Sequence, residues 1–174
     1  MRTLVMVLAL TTPAIADERH DRIRQNAVSL PDVKSEYAVP AVEAAIKHET
    51  EDLPAELLVS IMWGESRFKP NVRKGRVCGV MQVGPHDIGL PRSVCRTWEV
   101  DVDAAVADGV REMQMLLADR RVRGNIRRAL MYRACGNSFF NGTCRKGGWA
   151  RWVLGRAHDL RSQYEGKPVK AVRR

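Results

Sequence analysis

The sequence predicts a mainly α domain with one small β-hairpin, an α+β arrangement held by two disulfides. Three observations carry that prediction. Apolar residues recur at one-turn spacing, most clearly Leu57, Leu58, Ile61 and Met62, and again Val102, Val106, Val110, Met113 and Leu117, which is the period of a helix with one face buried. Between these stretches lies a glycine-punctuated run, Val77-Cys78-Gly79-Val80-Met81-Gln82-Val83, whose two-residue alternation suits a short strand or hairpin edge. The cysteines are Cys78, Cys95, Cys135 and Cys144, and an even count in an exported chain favours disulfides.

Export is read from residues 1–16. Arg2 is a short basic start, Leu4 to Leu10 is apolar, Pro13 breaks the run and Ala14-Ile15-Ala16 is a small-x-small cleavage site. The apolar run falls far short of the roughly 20 residues that a membrane helix needs. A signal peptide is therefore expected, with a mature chain starting at Asp17 in the periplasm or outside the cell and no stable membrane span. The polar stretch 17–35 reads as a loose leader or a marginal helix.

A helix is predicted over Tyr37 to Glu49 through Val39, Val42, Ala45 and Ile46. Asp52-Leu53-Pro54-Ala55-Glu56 then marks a new start, with an acid to cap it and a proline in the first turn. Pro70 requires that helix to stop soon after Glu65. Gly84 to Arg96 reads as a loop. Asp101 or Asp103 caps the helix of the Val102 stripe, and Asn125 caps a further helix through Ile126, Ala129 and Leu130. Ser138 to Gly148 is a second loop. The last helix carries Trp149, Trp152, Val153, Ala157, Leu160 and Tyr164 on one face, with both tryptophans assigned to the core, and 165–174 is a basic tail.

Four cysteines allow three pairings. Cys78–Cys95 and Cys135–Cys144 are preferred because both close short local loops, and a loop of about 15 residues is stabilised by roughly 3 kcal/mol in the chain-entropy picture. No C-x-x-C or H-x-x-x-H spacing is present, so neither a metal nor another cofactor is expected. The formal charge of +9, from 29 Lys and Arg against 20 Asp and Glu, suits an anionic polymer as partner. Export and the lack of an aromatic-studded basic signature argue against nucleic acid.

One residue concentrates the chemistry. Glu65 falls one turn beyond Ile61 and Met62, on the face expected to turn inward. A carboxylate there is costly unless it is hydrogen-bonded or opens into a cleft. Apolar surroundings would raise its pKa, as a general acid working near neutral pH requires.

Glu65-Ser66-Arg67-Phe68, ten further residues and then Gly79-Val80-Met81-Gln82-Val83 resembles the E-S-x-F and G-x-M-Q elements of the soluble lytic transglycosylases, relatives of goose-type lysozyme. The resemblance extends over Tyr37 to Tyr164, so it implies a lysozyme-like domain at 36–164. It implies a monomeric enzyme acting on peptidoglycan strands, cutting between N-acetylmuramic acid and N-acetylglucosamine and leaving 1,6-anhydro ends. Glu65 would act first as acid and then as base towards the muramic C6 hydroxyl, Ser66 would orient it, and Gln82 with the backbone around Met81 would hold sugar amides. Tyr132 matches the tyrosine of the family's A-Y-N-x-G frame, with Gly136 one position beyond the frame's glycine, so Tyr132 is expected to line the cleft and bond to Glu65. Arg133 stands where asparagine is expected, and that role is not carried over.

Between Glu65 and Asp87 there is no acid but five basic residues, which leans towards a one-carboxylate reaction. Two alternatives remain: a hydrolase using Asp87, Glu99, Asp101 or Asp103 as second carboxylate, and a non-catalytic cationic wall-binding protein.

Overall fold

Helix α3, Ala55–Ser66, is buried on every side from Ala55 to Trp63 in the computed structural model, which describes residues 13–144 and 147–162. A helix apolar all round belongs at the centre of a domain. Around it pack α1 (Pro13–Val28), α2 (Ser35–Lys47) and α7 (Gly147–Ser162). The second layer is α4 (Val94–Trp98), α5 (Val102–Ala118) and α6 (Ile126–Cys135), with α5 against α2 and α6 against α7. Short 3₁₀ turns occupy Pro85–Ile88 and Gly136–Phe139. Among the described residues the fold is thus seven α-helices with one antiparallel hairpin, β1 (Arg73–Lys74) and β2 (Val77–Cys78), in which Arg73 faces Cys78 and Lys74 faces Val77. No described helix is long and apolar enough to cross a membrane.

Several local expectations match. Asp101 caps α5 by accepting from the Ala104 amide at 2.9 Å, and Asn125 caps α6 by accepting from Arg128 at 3.0 Å. The α5 stripe is buried at Val106, Val110, Met113 and Leu117. Both disulfides, Cys78–Cys95 and Cys135–Cys144, have the expected pairing and suit an oxidising compartment. The segment 1–12 of the expected signal peptide, the basic tail 165–174 and Tyr164 lie outside the described residues.

Other expectations are corrected. Of the stretch 17–35, expected as a loose leader or a marginal helix, residues 17–28 are helical and not loose: they belong to α1, whose Ile23 and Ala27, one turn apart, are fully buried in the core. Val39 is 51 % exposed, because the buried face of α2 runs instead through Ala38, Ala41, Val42 and Ala45. Trp152 stands 37 % exposed rather than in the core. The strand expected to reach Val83 ends at Cys78: residues 79–82 make a turn, with Gly79 and Gln82 at φ 76 and 54, and Val83 returns to pair with Cys78. Asp52 does not cap α3. Glu49 does, accepting from the Ala55 amide at 3.1 Å.

Glu49 also accepts from Arg19 at 2.7 and 3.0 Å and meets His20 at 3.0 Å. Partial burial opposes its charge, but Arg19, the Ala55 amide and His20 outweigh it and hold the carboxyl down at about 2, against an ordinary 4.5. A depressed folded-state pKa contributes stability that is present above the unfolded value and lost as pH falls through the folded one. The melting temperature is therefore expected to decline between pH 4.5 and 2, and more shallowly in Glu49→Gln, as read by thermal melts across that window.

Candidate active site

The inner end of α3 is terminated by two consecutive left-handed residues, Arg67 and Phe68, at φ 57 and 64. Phe68 is fully buried, so apolar packing offsets the backbone strain of these two positions. The chain then swings into the hairpin and brings the 79–82 turn back beside Glu65. Ser66 fastens this return: its hydroxyl donates to Val80 O at 2.7 Å and to Met62 O at 3.2 Å. It makes no bond to the Glu65 carboxylate, so its position is that of a staple between helix and turn.

Gln82 lies in the same turn with its amide directed inward. Nε2 donates to the carbonyls of Val72 and Gly79, both at 2.8 Å, and Oε1 is buried without a hydrogen-bond partner. Its amide nitrogen is therefore spent on the turn and not left for a sugar amide. The Met81 side chain is buried against Gly109 of α5, where a Cβ would come within 2.2 Å of the Met81 sulfur. Gly109→Ala is expected to lose a net ~1 kcal/mol, because overpacking of ~1–3 kcal/mol exceeds the ~1 kcal/mol gained in helix propensity. A melt should show a decrease of about 2–4 °C in Tm.

The residue that gathers the site is Arg133. Its side chain is 5 % exposed, and its guanidinium reaches four groups. Nη1 donates to Glu65 Oε1 at 3.0 Å, Nε donates to Glu112 Oε2 at 2.8 Å, and Nη2 donates to the carbonyls of Met81 and Gln82, the latter at 3.3 Å. Burial works against its charge, but the carboxylates of Glu112 and Glu65 outweigh it and hold the pKa above the ordinary value. The Glu65 side chain is 23 % exposed. Its Oε1 takes Arg133, while Oε2 has no donor among the described residues. Lys74 Nζ donates to the backbone carbonyl of Glu65 at 3.2 Å. The apolar surroundings expected around Glu65 thus include a buried cation, because α6 delivers Arg133 to that face of α3.

Tyr132 differs from expectation. Its hydroxyl accepts from Arg121 Nη2 at 2.8 Å and makes no bond to Glu65, and the Arg121 guanidinium lies 5.0 Å above its ring. Tyr132 nevertheless lines a cleft of about 460 Å³ together with Arg76, Asp87, Ile88, Glu112 and Arg133. Glu65 is not among the residues lining that cleft and meets it through Arg133, which bonds its Oε1. A larger cavity of about 850 Å³ lies between α2 and residues 99–103 and contains none of this group.

Of the second carboxylates considered from sequence, only Asp87 reaches the cleft. Glu99 pairs with Arg73 at 2.6 Å, Asp101 is the α5 cap, and Asp103 is engaged by Lys47 and His48. Glu112 was missed by sequence reasoning. It lies three residues after Gly109 and one before Met113, on the buried face of α5, and an acid at such a position is the signal that would have found it. Among the tryptophans, Trp63 is buried, its ring 5.0 Å from that of Trp152 at a tilt of 33°, with the guanidinium groups of Arg67 and Arg156 at 4.8 and 4.6 Å from its centre, and Trp98 is buried with its Nε1 on Asp108.

No protein-family model matches this chain, and no curated protein or solved structure matches it.

Proposed function

We propose that the protein is an exported, monomeric lytic transglycosylase on a lysozyme-like fold, cleaving the β-1,4 bond between N-acetylmuramic acid and N-acetylglucosamine in peptidoglycan. The observation that carries this reading is the state of Glu65: a partly exposed carboxyl at the end of a buried helix, with Oε1 occupied as an acceptor and Oε2 open. A proton on this carboxyl resides on Oε2, the oxygen free to deliver it.

In the proposed reaction Glu65 protonates the glycosidic oxygen as the bond to muramic C1 breaks. The resulting carboxylate then takes the proton of the muramic C6 hydroxyl while that oxygen bonds to C1. No water is consumed, and Glu65 ends protonated, ready for another cycle. Because the nucleophile belongs to the substrate, no base on the opposite face is required. The charge of +9 favours concentration at an anionic envelope.

One observation favours a hydrolytic outcome instead. Glu112 brings a second carboxylate to the guanidinium that holds Glu65, and a hydrolase needs a second carboxylate to activate water. Mass spectrometry of soluble products from purified peptidoglycan separates the readings. Muropeptides lighter by one water are expected. Intact reducing ends would assign the hydrolase, and retained wall binding without products would assign a binding protein.

A further inference from the structure

We propose that Arg133, anchored from behind by Glu112, is a positioning residue that determines which oxygen of Glu65 exchanges the proton. The inference rests on the function proposed above. A guanidinium has five N–H groups in a rigid planar fork. Here Nε goes to Glu112, one Nη1 hydrogen goes to Glu65, and Nη2 serves the carbonyls of Met81 and Gln82. With both ends held, the fork has no rotational freedom, and Glu65 Oε1 is kept as an acceptor.

The burial of Glu112 fits this anchoring role. Only 9 % of it is exposed, on an otherwise apolar helix face. Its burial as a carboxylate is costly without a hydrogen-bonded partner. Its contact is with Nε, the nitrogen that orients the guanidinium plane. The elements differ: Glu65 is on α3, Glu112 on α5 and Arg133 on α6. Arg133 therefore couples the reactive end of the central helix to the second layer and to the turn carrying Met81. A lysine presents a point charge and cannot serve two carboxylates and two carbonyls in one plane.

The test uses soluble glycan-chain fragments and the mature chain. Arg133→Met alone leaves Glu112 with a buried charge, so Arg133→Met is combined with Glu112→Gln, which removes both charges at nearly constant volume. The double variant is expected to stay folded, with kcat lowered ~100-fold, the scale of a misplacement of about 1 Å, and KM within about 3-fold. The limb of the pH–rate profile on which activity falls with rising pH is expected to move upward. Losing the adjacent cation outweighs losing the carboxylate beyond it, while Lys74 at the Glu65 carbonyl and Arg76, Asp87, Asp119 and Tyr132 around the cleft are unchanged. Arg133→Lys should recover less than about one tenth of kcat.

A folded double variant with wild-type kcat and an unmoved profile, or a fully active Arg133→Lys, overturns the inference while leaving the proposed function standing. If the double variant unfolds, Glu112→Gln alone decides: a ~10-fold loss of kcat with the same limb moved downward supports positioning, and unchanged kinetics overturns it. A wild-type protein that releases nothing defeats the proposed function itself.

Discussion

Glu65→Gln is expected to abolish release of soluble muropeptides, lowering the rate by about 10²–10⁴-fold, the usual worth of a positioned general acid. Glutamine is nearly isosteric with the carboxyl, and its carbonyl oxygen is able to take the place of Oε1 as acceptor from Arg133 Nη1. The amide NH₂ would then face outward where Oε2 is now. It holds no proton acidic enough to protonate a glycosidic oxygen, and it has no basicity with which to accept the C6 hydroxyl proton. Both half-steps fail through one substitution. Because the side chain is already partly exposed and its one side-chain hydrogen bond is retained, the thermal midpoint should move by only a few degrees. The measurement is muropeptide release by chromatography beside a melt of the same sample. Near-wild-type release from a folded Glu65→Gln protein would remove Glu65 from the chemistry.

Arg19→Met is expected to destabilise the fold by about 3 kcal/mol, far from the site. Arg19 lies in the stretch that composition marks as a loose leader or a marginal helix, yet its guanidinium is bidentate to Glu56, at 3.0 and 2.6 Å, and also bonds Glu49. The Glu56 side chain is 1 % exposed, on the central helix. Removing an engaged cation from a buried carboxylate costs about 3–5 kcal/mol, and the lower end applies because Arg19 is itself 28 % exposed. Methionine keeps the aliphatic contact, so the loss measures the charge pair. At about 2–4 °C per kcal/mol for a chain of this size, Tm should fall by about 6–12 °C. Adding Glu56→Gln should recover part of it, since the pair is coupled and the two losses are not additive. A melt within about 2 °C of wild type would mean that the Arg19 charge pair contributes little to the docking of α1.

What could be read from the sequence was local. The α5 stripe, the caps Asp101 and Asn125, the stop of α3 before Pro70 and the two short-loop disulfides each depend on residues a few positions apart, or on a single short closure. Periodic burial and capping are written in neighbouring residues, and the chain obeys them wherever one face meets the core. The position of Glu65 on the central helix was legible for the same reason.

Tertiary structure decided the partners of the polar groups. Arg133 reaches Glu65 across 68 positions of sequence and Glu112 across 21. Arg19 reaches Glu56 across 37, which makes a polar stretch into part of the fold. Gln82 and Ser66 spent their hydrogen bonds on the hairpin turn, and Tyr132 turned to Arg121. A buried polar group finds its partner in whichever group packing brings within about 3 Å. No periodicity encodes that choice, because the elements carrying the two partners are adjacent only once the helices have packed.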